Sequence, residues 1–390
     1  MTFLALPSRR IAWYTFTAAA AIARAAESEN IAALEALGIN VHTVPETTEQ
    51  DSVGRRLKQL TSLFSPVSFQ RRGLLSEAMQ QAVFQLQLLH QFDIIQVESS
   101  QMAGFQFDPT ARLLVDEHNI EYELLLRMYQ TETSPIRKLF SGLEYQKFRR
   151  EEQQTWRHAD GCIMTSGREA EIVRQLAPDQ HITVAPNGVD IDYFVPSAKP
   201  VNPNSIVLTG LMRYRPNIDA ALYFVQEVFP FVLKERPDSV FTIVGAGPPD
   251  EVKQLARENV IVTDTVPDVR PYVESAAVIA VPLRMGSGTR LKVLEALSMC
   301  KPMVSTAVGC EGIDVQHDKH LLIADDAESF ANAVVELMSD AALCHRLGKA
   351  GRELAVEQYS WVSIVEQLEK FYSDSLSRTK RSLTGSNATG

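Results

Sequence analysis

Two cations and one carboxylate follow a short glycine-containing turn in the second half of the chain. The turn and the charged residues after it are Gly286, Ser287, Gly288, Thr289, Arg290, Lys292 and Glu295. Such a turn directs backbone N–H groups and a helix N-terminus at one point, where a phosphate binds well. The two cations would hold a diphosphate, and the single acid would accept the two hydroxyls of a ribose. These residue types therefore predict a nucleotide site, although ordinary turns with solvated cations show the same pattern.

The elements around this turn read as a βαβ motif. An apolar run at Val278–Leu283 predicts a buried parallel strand, and a helix with leucines on one face follows the turn. Lys301-Pro302 ends that helix, and a second apolar run at Met303–Thr306 resumes the sheet. The turn consequently lies at the carboxyl end of a strand, where open α/β sheets bind ligands.

Length and composition limit the classes of function. The chain has 390 residues, which suggests two domains, and 45% hydrophobic residues allow sizeable cores. The net charge of −10 argues against a general nucleic-acid binder. The four cysteines have no C-x-x-C spacing, so we expect reduced thiols in a cytoplasmic protein and no zinc site.

The N-terminus allows two interpretations. Arg9-Arg10 and the apolar run after it resemble a signal peptide, but an alanine-rich helix is the interpretation that we favour. No segment of the sequence reaches the roughly 18 consecutive apolar residues of a membrane span.

Strand and helix patterns alternate along the chain. The predicted strands are Ile39–Val44, Phe92–Val97, Arg112–Val115, Gly161–Thr165, Ile182–Val184, Ser205–Thr209, Val240–Val244, Val260–Val262, Val278–Leu283, Met303–Thr306 and Leu321–Ile323. The predicted helices are Ser28–Leu37, much of Gln50–Leu89, Tyr122–Gln130, Pro135–Thr155, Gly167–Leu176, Asn217–Val232, Pro249–Asn259, Val269–Ser275, Ala327–Ser339 and Ala341–Leu376. This alternation predicts an α/β protein with two doubly wound parallel sheets.

The domain boundaries follow from composition. Residues 190–204 contain three prolines and no helical period, so we interpret them as a linker. It separates an N-terminal domain at residues 1–189 from a C-terminal domain at 205–358, and the two would face each other across a ligand-binding cleft. The polar residues 377–390 are predicted to be a disordered tail.

Three stretches carry a family resemblance. They are APNGVDIDYF (Ala185–Phe194), GLMRYRPNIDAALYFVQEVFP (Gly210–Pro230), and FTIVGAGPPDEV with VPDVRPYVESAAVIAVPLRMGSGTRLKVLEALSMCKPMVSTAVGCEGI (Phe241–Val252 and Val266–Ile313). They resemble glycosyltransferase family 4, which has the two-Rossmann GT-B fold, and above all the bacterial sugar transferases of exopolysaccharide gene clusters. The resemblance implies that a C-terminal helix at 359–376 completes the first domain.

The resemblance also implies a role for each residue of the turn. Glu295 matches the glutamate that binds the ribose hydroxyls of a nucleotide-sugar donor. Arg290 and Lys292 would neutralise the diphosphate as negative charge develops on the leaving group. Backbone N–H groups of Gly288 and Thr289 would meet sugar or phosphate oxygens.

Further site residues are implied outside the turn. Arg213 or Arg215 stands where the family keeps a phosphate-binding arginine, and Asn217-Ile218-Asp219 occupies the place of a nearby lysine. His118 resembles the histidine that contacts the donor sugar, with a purely structural histidine as the alternative. Asp264–Asp268 would lie near the base of the nucleotide.

The sequence departs from the family in two places. Ser287 replaces a glutamate often found eight positions before the ribose-binding one, so backbone amides are expected to take over sugar recognition. Residues 1–37 contain no glycine, whereas family members begin with a strand and a Gly-Gly loop. We expect a truncated or altered N-terminus with an incomplete first sheet, which puts catalytic competence in question.

The implied reaction is a retaining, metal-independent sugar transfer without a cofactor. The donor is a nucleotide sugar, the acceptor is a glycan or a lipid-linked molecule, and the setting is polysaccharide biosynthesis. The Asp190-Ile191-Asp192 pair could coordinate a metal, but a turn is its more ordinary use. A sugar-nucleotide epimerase and a non-catalytic sugar-nucleotide binder are the alternatives.

The segment Ser134–Arg157 combines an apolar stripe with flanking basic residues. Its stripe is Ile136, Leu139, Phe140, Leu143 and Phe148. The helix could lie on anionic lipid as a peripheral contact with the inner membrane. The preferred interpretation is a helix that packs its stripe on the sheet of the N-terminal domain.

Overall fold

The computed structural model describes residues 11–14, 24–44, 62, 65–131, 134–286 and 290–379. The chain divides into two compact units. The first unit is Met1–Ala185 with Leu368–Gly390, and the second unit is Pro186–Gln367. Each unit contains a parallel sheet with helices, which confirms the prediction of an α/β protein with two Rossmann-like domains.

The first unit contains a five-stranded sheet in the order β1-β2-β3-β4-β5. Its strands are β1 Ile11–Tyr14, β2 Ile94–Glu98, β3 Arg112–Glu117, β4 Gly161–Met164 and β5 Ile182–Val184. Its helices are α1 Arg24–Ala36, α2 Phe69–Leu74, α3 Glu77–Leu89, α4 Glu121–Thr131, α5 Pro135–His158 and α6 Gly167–Leu176, with a 3-10 turn at Met102–Gly104.

The second unit contains a six-stranded sheet in the order β11-β10-β9-β6-β7-β8. Its strands are β6 Asn202–Thr209, β7 Val240–Val244, β8 Val260–Val262, β9 Ala276–Val281, β10 Met303–Ser305 and β11 Leu322–Ile323. Its helices are α7 Arg215–Tyr223, α8 Phe229–Glu235, α9 Asp250–Lys253, α10 Arg270–Ser275, α11 Leu291–Ser298, α12 Ala327–Ser339 and α13 Ala341–Tyr359, with a π turn at Phe224–Val228 and a 3-10 turn at Val308–Cys310.

The final helix, α14 (Trp361–Ser377), covers one face of the first sheet. Side chains of a strand alternate between faces, and Ile94, Leu114 and Ile163 all pack against Phe371 and Tyr372 of this helix. The intervening side chains of the same strands, with Phe148 and Trp156 of α5, form the core of the opposite face. The last part of α14 therefore belongs structurally to the first unit.

Close packing fixes the helix that follows the predicted turn. Val293, Leu294 and Leu297 of α11 are fully buried. On α13, a Cβ added to Gly351 would lie 2.6 Å from Leu297 Cδ2, and one added to Gly348 would lie 2.3 Å from the carbonyl oxygen of Cys300. Glycines thus allow α13 to approach α11 closely, which fixes the position of the charged residues on α11.

The strand β1 corrects two predictions for the N-terminus. Ile11–Tyr14 pairs in parallel with Ile94–Val97, so the first strand is present, and these residues are not part of an alanine-rich helix. A short parallel strand has no alternation of polar and apolar residues by which the sequence would reveal it. Residues 15–23, which follow this strand, lie outside the described residues. Residues 1–37 contain no glycine, so the predicted absence of a Gly-Gly loop still stands.

Three further predictions of secondary structure were wrong in extent. The strand predicted at Ile39–Val44 is irregular backbone, since a favourable pattern does not supply a partner strand. The helix predicted at Pro249–Asn259 is limited to Asp250–Lys253, because Arg257 and Val260 exchange backbone hydrogen bonds that reverse the chain.

The third correction concerns the predicted linker 190–204. The strand β6 begins inside it, at Asn202. The pairing of β6 with β9 shifts register between Asn202 and Ile206. That irregularity accommodates Pro203, which cannot donate to the ladder. Apart from residues 377–379, the predicted tail 377–390 lies outside the described residues.

The apolar stripe of α5 is divided between core and surface. Phe148 is 1% exposed, as the packing interpretation requires, whereas Leu139 is 68% exposed. The buried part of the stripe therefore packs as the preferred interpretation states, and contact of the exposed part with a membrane remains a prediction. Within the described residues, no helix combines the length and the apolar character that crossing a membrane needs.

Candidate functional site

The strand order of the second sheet defines a crevice at its carboxyl edge. From β6 the chain adds β7 and β8 on one side, and it then returns to place β9, β10 and β11 on the other. In an open parallel sheet, the helices on either side of such a reversal diverge, and ligands bind at the carboxyl ends of the two strands. The reversal lies between β6 and β9, so the residues that follow these two strands should contact the ligand.

Glycines bring the loops after β6 and β7 into contact. Gly210 follows β6 and Gly245 follows β7, and both have a φ of 153°. A Cβ on Gly245 would lie 1.7 Å from the carbonyl oxygen of Gly210, and one on Gly210 would lie 2.7 Å from Lys292 Nζ. Glycine at position 245 thus allows the two loops to touch, and glycine at position 210 leaves space beside it for the ends of the Lys292 and Asn217 side chains.

Lys292 reaches from α11 to the end of β6. Its Nζ donates to Asn217 Oδ1 at 2.7 Å, and Asn217 Nδ2 donates to the carbonyl oxygen of Leu211 at 2.9 Å. Burial lowers the pKa of Lys292 to about 7, and the charge of Arg290 acts in the same direction. The ammonium thus has one neutral acceptor and lies close to another cation, an arrangement that an anion would stabilise.

Arg290 is the second cation of this cluster. Its side chain is buried, and a Cβ added to Gly286 would lie 2.9 Å from Arg290 Nη2. The guanidinium is therefore held against the backbone that leads into the predicted turn. Ser287, Gly288 and Thr289 lie outside the described residues, so their predicted contacts stay predictions.

Glu295 stands one helical turn after Lys292 on α11. Burial raises its pKa, and the charge of Lys292 opposes that effect. The structure therefore places Arg290, just before α11, close to Lys292 and Glu295 of that helix at the switch point. Their roles in binding a ligand remain predictions.

The two candidate arginines after β6 differ in their surroundings. Arg215 forms an ion pair with Glu251 at 3.4 Å. Arg213 forms no ion pair with any residue in the described ranges, and its side chain lies beside Gly247 in the loop after β7. Gly247 is held by a hydrogen bond of 3.2 Å from its N–H to Asp264 Oδ1. Arg215 is thus paired with an acid, whereas Arg213 has no such partner in the described ranges. Which of the two contacts a phosphate remains a prediction, as does the role of Asp264–Asp268 near a base.

The carboxyl edge of the first sheet carries the candidate histidine. His118 follows β3, and its Nε2 lies 2.7 Å from Oε2 of Glu98, the last residue of β2. The hydrogen bond to Glu98 is the main reason that the pKa of His118 is raised to about 9. Just over half of the His118 side chain is exposed, so a charged imidazolium is presented at this edge near neutral pH.

Two groups of side chains could in principle hold a metal ion, one at Glu98, Asp116 and His118 and one at Asp190 and Asp192. Ligand atoms of Glu98, Asp116 and His118 lie within 4.8 Å of one another in the described residues. These atoms already hydrogen-bond within the group or to Gln96. The Asp190 carboxylate accepts from the backbone N–H groups of Asp192 and Tyr193, so it shapes a turn.

Three site residues were missed by the sequence analysis. Asn217 was noted only as the replacement for a lysine, yet it holds Lys292. Gln96 was treated as part of an apolar strand predicted at Phe92–Val97, and Glu98, the next residue but one after it, was not considered. Glu98 could have been identified, since it pairs with Asp116 at the ends of adjacent parallel strands, and those ends share one edge of the sheet.

Models of two sequence families match the chain. The model described as "Glycosyltransferase Family 4" matches residues 29–193. The model described as "Glycosyl transferases group 1" matches residues 203–340. Together they cover more than half of the chain and include every candidate site residue named above.

Similarity to curated proteins is lower and partial. The chain is 26% identical over 233 residues to the Escherichia coli UDP-Gal:alpha-D-GlcNAc-diphosphoundecaprenol alpha-1,3-galactosyltransferase, covering 55% of this chain and 59% of that protein. It is 24% identical over 178 residues to an uncharacterized 44.6 kDa protein in the cps region of Klebsiella pneumoniae, covering 43% and 44%. The chain thus spans about half the length of these relatives.

Solved structures with the same fold extend over nearly the whole chain. Anabaena HepE in complex with UDP superposes with a TM-score of 0.64 at 14% identity, covering 94% of this chain and all of that one. A glycosyltransferase from Rickettsia africae superposes with a TM-score of 0.63 at 12% identity, covering 95% and 100%. At these identities the likeness concerns the fold alone.

Proposed function

This chain belongs to glycosyltransferase family 4 and has the GT-B fold, and we propose that it transfers a sugar from a nucleotide-sugar donor to a glycan or lipid-linked acceptor. The observation that carries the proposal is the convergence of Arg290, Lys292 and Glu295 at the switch point of the second sheet. Two cations and one acid at the end of a parallel strand suit a diphosphate and a ribose.

Each residue at the switch point has a chemical task in this proposal. Lys292 and Arg290 bind the diphosphate, and their positive charge stabilises the negative charge that grows as the sugar leaves. Arg213 adds a third cation, and it is favoured over Arg215 because Arg215 is already paired with Glu251. Glu295 accepts the ribose hydroxyls.

We propose a retaining and metal-independent reaction. The cations that would otherwise be supplied by a divalent ion are present as side chains, which supports independence from metal. The imidazolium of His118 would contact the donor sugar through its exposed ring. The acceptor hydroxyl would attack on the face from which the diphosphate departs.

The acceptor is proposed from the relatives. One is named for transfer to a diphosphoundecaprenol-linked sugar, and another is encoded in a cps region. A lipid-linked acceptor in polysaccharide biosynthesis is therefore the first candidate, and the exposed Leu139 with its basic neighbours on α5 is compatible with a peripheral contact with the membrane.

A non-catalytic nucleotide-sugar binder is the second candidate. It is favoured by one observation, namely that residues 1–37 contain no glycine where family members have a Gly-Gly loop. A binder would keep the site of the second sheet and lose transfer.

One experiment separates these functions. A thermal-shift panel of UDP-, GDP-, ADP- and TDP-sugars identifies the donor, and the best donor is then incubated with a lipid-diphosphate acceptor and with EDTA. We expect a stabilising donor, a transferred sugar whose anomeric configuration by NMR is that of the donor, and no effect of EDTA. Binding without transfer or hydrolysis would support the binder, and the absence of any stabilising donor would contradict the nucleotide site.

A further inference from the structure

A polar side chain is buried in the interior strand β2, among apolar neighbours. Gln96 is 4% exposed, and the residues on either side of it, Ile95 and Val97, are fully buried. An amide in such surroundings is unfavourable unless its hydrogen bonds are made. A partner is therefore needed for the carbonyl oxygen and for both hydrogens of the amide nitrogen.

The structure supplies all three partners of Gln96. Its Oε1 accepts from the Tyr372 hydroxyl at 2.7 Å, and its Nε2 donates to Glu98 Oε1 at 3.1 Å and to Asp116 Oδ2 at 3.0 Å. The Glu98 carboxylate can only accept, so it takes the amide nitrogen, and the Tyr372 hydroxyl then donates to the carbonyl oxygen. The amide lies between two acidic groups, and burial together with the charge of Glu98 raises the pKa of Asp116 to about 8.

The hydrogen bonds continue from Glu98 to His118, the candidate site residue of the first unit. Glu98 uses one oxygen for Gln96 and the other for His118 Nε2, at 2.7 Å. A hydrogen-bonded chain thus runs from Tyr372 through Gln96 and Glu98 to His118. Tyr372 is 276 residues from Gln96 in the sequence and lies on the part of α14 that belongs to the first unit.

We propose that Tyr372 and Gln96 are positioning residues that, through Glu98, fix the place and orientation of the His118 imidazole. Neither residue touches the donor in this proposal; both act through the carboxylate. The hydrogen-bonded chain is independent of what the protein does, whereas its effect on sugar transfer rests on the proposed function.

The effect of the hydrogen-bonded chain can be measured through the pKa of His118, because charged groups surround the imidazole. The carboxylates that act on its pKa are Glu98, Asp116 and Glu117, and His118 in turn acts on Glu121 of α4. Thr165 follows β4, and its hydroxyl lies 3.3 Å from the His118 carbonyl oxygen and 2.6 Å from Glu169 Oε2. Since the bond to Glu98 is the largest influence that raises the pKa of His118, any change that loosens Glu98 should lower that pKa.

The test is an NMR titration of the protein labelled with ¹⁵N-histidine. A His118→Gln variant assigns the signal, and Tyr372→Phe removes only the hydroxyl. Glu98→Gln is the reference for a broken pair. Tyr359→Phe is the matched control, because Tyr359 is as deeply buried and its hydroxyl oxygen accepts a hydrogen bond from the Asp314 N–H in the second unit.

We expect the pKa of His118 to fall from about 9 toward its ordinary 6.5 in Glu98→Gln. In Tyr372→Phe the fall should be about one pH unit, with altered ring ¹⁵N shifts. The control Tyr359→Phe should titrate like the wild type.

Two results would overturn the proposal. One is a His118 titration in Tyr372→Phe that matches the wild type. The other is selective broadening of the His118 signal by micromolar Mn²⁺, since the carboxylates would then be cation ligands.

An assay of sugar transfer distinguishes the positioning of His118 from the proposed function. If the wild type transfers sugar, Tyr372→Phe should lower kcat about tenfold with the donor KM unchanged. If the wild type transfers nothing, the proposed function fails, and the titration still decides whether the chain positions His118.

Discussion

Replacing Lys292 with methionine tests the candidate site most directly. Methionine keeps the length of the side chain and removes the charge. In the wild type, Lys292 Nζ donates to the neutral Asn217 Oδ1 at 2.7 Å and lies near the cation Arg290. With and without ligand, the change removes the hydrogen bond to Asn217. The liganded site loses in addition a charge-assisted hydrogen bond to the diphosphate, and that difference appears as a loss of affinity.

The expected loss of affinity follows from that hydrogen bond. Hydrogen bonds to charged groups contribute about 1.5–3 kcal/mol. At about 1.4 kcal/mol for each factor of ten, Lys292→Met should bind the nucleotide sugar about 10- to 150-fold more weakly. A loss smaller than about threefold would mean that the ammonium does not contact the diphosphate.

The pH dependence gives a second, independent measurement. The pKa of Lys292 is lowered to about 7 in the unliganded protein, and a bound diphosphate would raise it. Binding then takes up a proton above pH 7. The affinity of the wild type should be constant just below pH 7 and fall as the pH rises above it, by at most about tenfold per pH unit. Lys292→Met should lack this slope.

Isothermal titration calorimetry measures both the affinity and the proton uptake. The ligand is the best nucleotide sugar of the panel, and the titration is repeated in buffers of different ionisation enthalpy. Lys301→Met is the matched control. Lys301 is also buried, burial lowers its pKa to about 8, and its Nζ donates to the Glu274 carbonyl oxygen. It stands before β10, at the amino edge of the sheet. If the control loses the pH slope and Lys292→Met keeps it, the assignment of the diphosphate to Lys292 is wrong.

Three further predictions concern the same unit. Glu295→Gln should weaken the binding of UDP about tenfold or more, and it should weaken the binding of 2′-deoxy-UDP much less. Equal losses for both nucleotides in calorimetry would show that Glu295 does not contact the ribose. Arg213→Ala should reduce donor affinity about tenfold while Arg215→Ala stays close to wild type, and the reverse order would identify Arg215 as the phosphate ligand. Gly245→Ala should destabilise the protein by roughly 3 kcal/mol, because its Cβ would lie 1.7 Å from a carbonyl oxygen. In urea unfolding, the control Gly73→Ala, where a Cβ meets nothing within 4 Å, should show no such loss.

Much of the second unit could be predicted because its signals are local. The strands Val240–Val244 and Val260–Val262 and the helix Ala327–Ser339 have the predicted bounds. A buried parallel strand appears as an apolar run, and an amphipathic helix has its own period, so neither requires knowledge of distant residues.

The cluster on α11 was predictable for the same reason. Lys292 and Glu295 are three residues apart on one helix, which brings them to one face whatever surrounds the helix. The sequence by itself therefore determined the two-domain α/β architecture, the family and the cation–carboxylate cluster.

Only the tertiary structure decided how these residues are held. Asn217 and Lys292 are 75 residues apart, and they meet because the order of the second sheet places β6 beside β9. Tyr372 reaches Gln96 because the final helix packs on the first sheet. The strand Ile11–Tyr14 exists because β2 offers it an edge. Hydrogen bonds between distant residues depend on which strands and helices are neighbours, and no local period in the sequence carries that information.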